Sequence, residues 1–295
     1  MPNRSPIPFF QASEKSSPIS VNLGAGVVTS QSILPTKAHG QSIVGMEINL
    51  AVTMTQSAAA NWTPDLLFNS MKIVKGSNTL INPLSYKQFT NLFNALTGLS
   101  PTSTTYFNDP QSAGALGQST STMDVFLPLK FTTDSPVVTT FSFNAYSSVT
   151  NGTAGSVSII IQYFYSSQQV KDDEVKIVTT PSNLNAATDI DVSQYFSELK
   201  PVKEVWIDVT TDSNLTYQTF TLGNTVVFDK TDAFNLRALT TVATWQNAIT
   251  GFYKAQTMEG VTYPAQGSTS AAKPQLVINL SVGTIAPTYY LFIKN

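Results

Sequence analysis

Alternation of apolar and polar residues recurs along this chain, and it restricts the fold to strands that bury one face. Apolar side chains take every second position in segments 46–54, 123–131, 157–165, 205–209 and 276–282. Successive side chains of a β-strand point to opposite faces of the sheet, so each run predicts one buried and one polar face. Polar, turn-forming stretches separate the runs, at Asn151-Gly152, 99–122, 181–188 and 263–274. The pattern predicts an all-β sandwich or barrel.

A helical period occurs in two short stretches. Apolar residues with the spacing of one helix face are Tyr86, Phe89, Leu92 and Leu96, and again Leu239, Val242, Trp245 and Ile249. Two residues beyond each stripe stands a glycine, Gly98 or Gly251, and helices commonly end in a left-handed residue of this type. Ser85 or Asn82 is the predicted N-cap of the first helix, and Asp232 that of the second.

The two predicted helices end in nearly the same pentapeptide, N-A-L-T-G at 94–98 and N-A-I-T-G at 247–251. A glycine turn precedes each helix, in G-S-N-T-L-I at 76–81 and G-N-T-V-V at 223–227. Each of these predicts a tight turn that leads into a strand. The order strand, turn, strand, helix and glycine therefore occurs twice, and a repeat of this size predicts two similar domains.

The length of the chain accommodates two such domains. Its 295 residues are 42% hydrophobic, which supports two packed cores. We therefore predict an N-terminal arm at 1–40, a first domain at 41–170 and a second domain at 171–295. The absence of cysteine excludes disulfides and thiolate metal sites, so stability must come from burial and assembly.

The charge content restricts the partners. Charged residues make up only 12% of the chain, about half the usual share, and the formal net charge is −2. Because no basic stripe is present, we predict no direct binding to nucleic acid. The first residues lack the apolar core of a signal peptide, and no apolar run reaches the length of a membrane span, which predicts a soluble, unexported chain.

Few residues are available for catalysis. The single histidine, His39, lies in a predicted loop, and no serine elbow or phosphate loop accompanies it. Two acidic groups stand out, Asp189 with Asp191, and Asp172-Asp173-Glu174. Paired carboxylates can hydrolyse glycosides on a β scaffold, so a glycoside hydrolase stays open. The favoured prediction is a chain without catalytic, cofactor-binding or metal-binding residues.

A carbohydrate-binding or host-adhesion β-sandwich is the second alternative. Trp62, Trp206 and Trp245, together with 11 tyrosines, could stack on sugar rings. Trp206 falls within a predicted strand and Trp245 on a predicted helical stripe, which favours packing in the core for both.

The N-terminal segment differs in composition from the rest of the chain. It carries prolines, an aromatic pair and two basic residues, and the candidates for an assembly or membrane-facing arm are Arg4, Phe9, Phe10 and Lys15. One interpretation is a strand-like arm that lies across its own domain. The other is an arm that becomes ordered only on a neighbouring subunit or near a lipid surface.

Two β-rich halves with the same turn, strand and helix order resemble a known family. The residues that carry the resemblance are 72–98 and 219–251, with the flanking strands 46–54 and 205–209. The pattern resembles the double jelly-roll major capsid proteins of tailless icosahedral bacteriophages with an internal membrane, the lineage that includes adenovirus hexon. The chain length is similar to that of the smaller, corticovirus-like or finnlakevirus-like members.

The resemblance implies two tandem eight-stranded jelly rolls, each with a short helix after an early hairpin. It also implies a homotrimer with a pseudo-hexameric outline that tiles a virion shell. The implied partners are neighbouring capsomers, minor vertex (penton) proteins and an internal viral membrane. The implied location is the virion, after synthesis in the host cytoplasm. No individual functional residue can be transferred from the family.

Overall fold

The computed structural model describes residues 12–34, 40–58, 60–62, 64–97, 111–112, 118–179, 189–191, 201–231, 251–254, 274–280 and 287–293. These residues divide into two compact units, with the division between Asp172 and Asp173. We call the parts before and after this point the N-terminal unit and the C-terminal unit.

The N-terminal unit contains twelve strands and one α-helix in its described residues. The strands are β1 (Ala12–Lys15), β2 (Ile19–Asn22), β3 (Val27–Ile33), β4 (Ser42–Gln56), β5 (Asn61–Trp62), β6 (Phe68–Lys75), β7 (Asn78–Leu84), β8 (Gln111–Ser112), β9 (Gln118–Leu127), β10 (Phe131–Thr132), β11 (Val137–Phe143) and β12 (Gly152–Ser166). The helix α1 (Tyr86–Thr97) follows β7.

Eight of these strands form two antiparallel sheets with a jelly-roll order. One sheet runs β2-β12-β4-β9 and the other runs β3-β11-β6-β7. When these eight strands are numbered one to eight along the chain, the first sheet has the order 1-8-3-6. The second sheet has the order 2-7-4-5. β1 and β10 extend the first sheet by pairing with β12 and β4, and β5 pairs with β8.

The C-terminal unit repeats this topology. Its described strands are β13 (Glu174–Thr179), β14 (Asp189–Asp191), β15 (Val202–Asp208), β16 (Leu215–Leu222), β17 (Thr225–Thr231), β18 (Phe252–Lys254), β19 (Pro274–Leu280) and β20 (Thr288–Ile293). The sheets β13-β20-β15-β18 and β14-β19-β16-β17 show the same orders as those of the N-terminal unit. The predicted pair of eight-stranded jelly rolls is therefore confirmed.

The predicted alternation fills the interior of each unit. Met46, Ile48, Leu50, Val52 and Met54 are all buried on β4, and Val157 to Tyr165 alternate in the same way on β12. Leu276, Ile278 and Leu280 on β19 pack with Val205 and Ile207 in the core of the C-terminal unit. Complete burial of such a side chain stabilises the fold by roughly 1.5–3 kcal/mol, so these strands carry most of the stability.

The glycine turns lie at the same place in both units. Gly76 has φ 56 and begins the two-residue turn between β6 and β7, and Gly223 has φ 59 in the turn between β16 and β17. A glycine with positive φ at the first turn position suits the twist of a two-residue hairpin. The repeated pentapeptides both fall between the fifth and sixth strands, so the predicted duplication corresponds to equivalent positions in two jelly rolls.

The first predicted helix is confirmed as α1, and its N-cap is Ser85 rather than Asn82. The backbone N–H of Gln88 donates to the Ser85 hydroxyl at 3.3 Å, and the Ser85 N–H donates to Gln88 Oε1 at 2.9 Å. This reciprocal pair is a capping box. The second predicted helix, with its cap Asp232, lies outside the described residues, but Gly251 after it has the predicted left-handed conformation, with φ 73.

Two predicted boundaries need correction. Residues 19–33, which the sequence placed in an arm, supply β2 and β3 of the first jelly roll. The loop predicted at 99–122 ends earlier, because β9 begins at Gln118 and pairs with β4 through polar residues such as Thr120. β2 is short, and β9 begins with mainly hydroxyl residues. Neither stretch carries enough apolar alternation to be recognised as a strand in the sequence.

Strand lengths differ between the units. β4 and β12 each contain 15 residues. Their counterparts in the C-terminal unit, β15 and β20, contain 7 and 6 residues. The duplication therefore conserves topology while the dimensions of the strands differ.

Candidate functional site

The acidic residue Asp172 is part of an ion-pair cluster around Lys75. Lys75 ends β6, and its Nζ lies 2.6 Å from Asp172 Oδ2 and 2.8 Å from Asp134 Oδ1. Lys75 also donates to the hydroxyl of Thr132. The backbone N–H and the hydroxyl of Thr132 both donate to Asp172 Oδ1, at 2.8 and 3.1 Å. The cluster fixes Asp172, the last residue of the N-terminal unit, to the ends of β6 and β10.

Burial decides the energetics of this cluster. Lys75 is 5% exposed, Asp172 is 19% exposed and Asp134 is 60% exposed. A buried ammonium is tolerated only when it is paired, so the two carboxylates offset the desolvation of the Lys75 ammonium. The hydrogen bond from Lys75 lowers the pKa of Asp134 below its ordinary value. Asp172 is thus an anchoring residue, and the predicted solvated loop at 172–174 is wrong for this position.

The other predicted site residues are only partly described. Asp189 and Asp191 lie two positions apart on β14, opposite Asn279 and Val277, as their spacing predicted. Lys15 ends β1 opposite Gln162. His39, Arg4, Phe9 and Phe10 lie outside the described residues.

Two of the three tryptophans are buried. Trp62 is 1% exposed, and its Nε1 donates to the hydroxyl of Ser119 at 3.0 Å. Trp206 is 6% exposed and stacks on Phe252 with a centroid separation of 5.1 Å. Neither ring is accessible for stacking on a sugar. For Trp206, this confirms the predicted position in the core. Trp245 lies outside the described residues.

The N-terminal unit presents a broad polar face on the sheet β2-β12-β4-β9. We define the outer sheet face by the outward residues of these strands and of β1. Its members are Ser13, Lys15, Ser20, Asn22, Glu47, Asn49, Ala51, Thr53, Thr55, Gln118, Thr120, Thr122, Asp124, Phe126, Ser156, Ser158, Ile160, Gln162 and Phe164. Hydroxyl residues dominate, and the hydroxyls of Thr53 and Thr120 are hydrogen-bonded to each other at 2.9 Å.

Three side chains supply the charge of this face. The strand register sets Lys15, Gln162 and Glu47 in one row across β1, β12 and β4. Asp124 lies diagonally across from Glu47 on β9. Burial raises the pKa of the Glu47 carboxyl, and the charge of Asp124 and a hydrogen bond with it raise this pKa further, whereas the charge of Lys15 lowers it.

No metal centre or membrane helix is found in the described part of the chain. No group of three or more His, Asp or Glu side chains converges there as a metal site would require. The helix segments described here are too short or too polar to cross a membrane.

Sequence reasoning missed two features, Lys75 and the pair Glu47 and Asp124. The partners of Lys75 lie 57 and 97 positions away along the chain, so no local pattern could indicate them. Glu47 appeared only as a polar residue between apolar ones, and its proximity to Asp124 depends on the register of β4 against β9.

Comparison with known proteins gives matches in structure but not in sequence. No protein-family model and no curated protein sequence matches the chain. The MCP of STIV is similar, with a TM-score of 0.67 and 13% identity over 95% of each chain. A chain of the PBCV-1 virus capsid is similar with a TM-score of 0.54 and 11% identity, covering 97% of this chain and 96% of that one.

The Faustovirus major capsid protein is similar with a TM-score of 0.50 and 10% identity, covering 97% of this chain and 90% of that one. All three likenesses extend over both units, and each rests on structure at low identity. Together with the two identical strand orders, they show that this chain has the double jelly-roll fold found in these major capsid proteins.

Proposed function

We propose that the chain is a major capsid protein whose trimers form pseudo-hexameric capsomers in an icosahedral virion shell. The observation that carries this proposal is the repeated jelly-roll order in two units of one chain. Three copies then contribute six like-built modules, and a hexagonal unit can tile a closed surface. The likeness to capsid proteins along nearly the whole chain supports the proposal.

The composition agrees with a shell protein. Only 12% of the residues are charged, so copies can associate closely without burying many ions. The expected partners are therefore other copies, neighbouring capsomers and minor vertex proteins, rather than nucleic acid. The chain functions in the virion after synthesis in the host cytoplasm, and it performs no catalysis. The described acidic residue Asp172 has a structural partner in Lys75, which supports a non-enzymatic role.

The first test is the oligomeric state of the purified chain. We expect a particle of about 96 kDa, three times the 31.9 kDa chain, by light scattering after size exclusion. Negative-stain electron microscopy should show hexagonal outlines of these particles. A chain that stays at 31.9 kDa at all concentrations and forms no such outlines would contradict the proposal.

The proposal also includes an internal membrane beneath the shell, which the N-terminal segment contacts. In this arrangement, Arg4, Phe9 and Phe10 face the inner side of the shell, and Lys15, the last residue of β1, follows this segment. A deletion of residues 1–11 leaves β1 intact and removes the aromatic pair. We expect the variant to form trimers but to lose binding to anionic lipid vesicles. Vesicle binding equal to that of the full chain would refute the membrane-facing arm.

The two described tryptophans that the carbohydrate-binding alternative would use, Trp62 and Trp206, are buried. Glycan-array binding by the trimer would reopen it. A hydrolytic activity that disappears on changing Asp189 or Asp191 would instead favour the glycosidase.

A further inference from the structure

The outer sheet face of the N-terminal unit is extensive and remains accessible in the single chain. Along β9 every outward residue from Gln118 to Phe126 is exposed, and the outward residues of β4 are half-buried by their neighbours on both sides. The opposite faces of the same strands form the apolar core. One face of the sheet is therefore buried in the core of the unit, and the other face is available for a partner.

The area of this face suits a specific interface. β9 pairs with β4 over ten residues, and β12 pairs with the same stretch of β4. β9, β4 and β12 contribute ten residues each, and β1 with β2 contribute eight more along the edge of β12. At about 4.8 Å between strands and about 3.3 Å rise per residue, these give a face of roughly 600 Å². A standard interface buries about 800 Å² on each partner. The outer sheet face thus supplies most of one side of such an interface.

An aromatic pair stands at one end of the face. Phe126 is 37% exposed and meets Phe164 edge to face, with centroids 5.4 Å apart. Its ring lies directly on Gly45, because a Cβ at that position would come within 2.2 Å of the ring Cζ. The glycine thereby permits a close-lying, pre-positioned aromatic surface. Exposed aromatic side chains held in one place are typical anchors of protein interfaces.

The charges of the face indicate the chemistry of its occupant. Lys15 supplies one positive charge, and Glu47 and Asp124 supply two negative ones. With one cation and two anions, the face carries a formal charge of −1. A nucleic acid requires a cationic surface and an anionic membrane requires basic residues, and the outer sheet face offers a single lysine for either. A polar and weakly charged surface is what another copy of this chain supplies.

We propose that the outer sheet face is the surface through which one copy of the chain binds the next copy within the capsomer. This inference rests on the proposed capsid function and names the contact surface for it. Thr122 lies on the exposed strand of the face, beside Ala51 on β4. In the trimer it is covered by the neighbouring copy.

Cysteine labelling provides a direct test, because the chain contains no cysteine of its own. The variant Thr122→Cys places one thiol on the face. The matched control Ser77→Cys places one in the exposed turn between β6 and β7. We expect maleimide to label the thiol of the Thr122→Cys variant at least tenfold more slowly in the trimer than in the diluted monomer. The Ser77→Cys control should change by less than twofold.

A charge substitution supplies the second measurement. Thr122→Arg introduces a cation that association would bury without a partner. We therefore expect the trimer of this variant to dissociate at a protein concentration at least tenfold higher than that at which the unmodified trimer dissociates. Ser77→Arg adds the same side chain in the exposed turn and should shift this concentration by less than twofold. Circular dichroism of the diluted variants establishes that both remain folded.

The outcomes separate the two proposals. A chain without substitutions that never trimerises refutes the capsid function and this inference together. Trimers in which the thiol of the Thr122→Cys variant reacts at the monomer rate refute only the inference. Protection that arises in assembled particles but not in isolated trimers would assign the face to a different capsomer or a minor protein, and would also overturn it.

Discussion

Replacement of Lys75 by methionine tests the ion-pair cluster that holds the end of the N-terminal unit. Methionine keeps the length and most of the volume of the lysine stem, while the ammonium that pairs Asp172 and Asp134 is lost. Removal of one partner of a buried ion pair typically costs about 3–5 kcal/mol. Asp172 is 19% exposed and keeps its hydrogen bonds from Thr132, so we expect a loss near the lower end, about 3 kcal/mol.

Urea unfolding, at a fixed protein concentration and without added salt, measures this loss of unfolding free energy. With a denaturant slope of about 2 kcal/mol per molar, a loss of about 3 kcal/mol lowers the midpoint by roughly 1.5 M. The control is Asp134→Asn. Asp134 is 60% exposed, so its removal should cost less than about 1 kcal/mol.

The double variant Lys75→Met with Asp172→Asn isolates the pair. The Asp172→Asn change keeps a carbonyl oxygen for the Thr132 N–H while it removes the orphaned charge. The double variant should therefore be more stable than the sum of the single losses predicts, by about 1 kcal/mol or more. Additive losses, or a Lys75→Met midpoint within about 0.3 M of the unmodified chain, would refute the role of the cluster.

Three further substitutions test other parts of the structure. Gly251→Ala should destabilise the chain by about 2 kcal/mol or more in urea unfolding, since the φ is 73 and the added Cβ would lie 2.5 Å from backbone, whereas Gly26→Ala, with 3.7 Å of clearance, should be nearly neutral. Ser85→Ala should cost about 1 kcal/mol through loss of the capping box, and hydrogen exchange of α1 should accelerate. The raised pKa of Glu47 means that its carboxylate disfavours folding at pH 7 and that this penalty disappears as the pH falls through the folded-state pKa towards the ordinary one. Because solvent screens this surface carboxyl, Glu47→Gln should stabilise the chain by only about 0.5 kcal/mol at pH 7. Near pH 4 the substitution should have little effect. An equal gain in stability at both pH values would contradict the like-charge interaction with Asp124.

Sequence alone predicted the features that depend on local periodicity. The strict alternation at 46–54 and 157–165 identified β4 and β12, and the apolar stripe from Tyr86 to Leu96 located α1. The glycine turns at Gly76 and Gly223 were recognisable because hairpin geometry requires a positive φ there.

Features that depend on pairing between distant segments were not predictable. β2 has only four residues and begins far from its partner β12, with Ser156 opposite Asn22. The cluster around Lys75 and the diagonal of Glu47 and Asp124 both follow from registers that connect segments more than fifty positions apart. A residue between two apolar neighbours looks the same in the sequence whether it meets water, a carboxylate or a second molecule.

The unequal strands of the two units limit the symmetry of any particle built from this chain. At about 3.3 Å per residue, the 15 residues of β4 extend for about 50 Å, and the 7 residues of β15 for about 23 Å. A ring of three chains contains each length three times, so its true rotational order is three even where its contour is six-sided. Image averaging of such rings with imposed sixfold symmetry would blur features that threefold averaging retains.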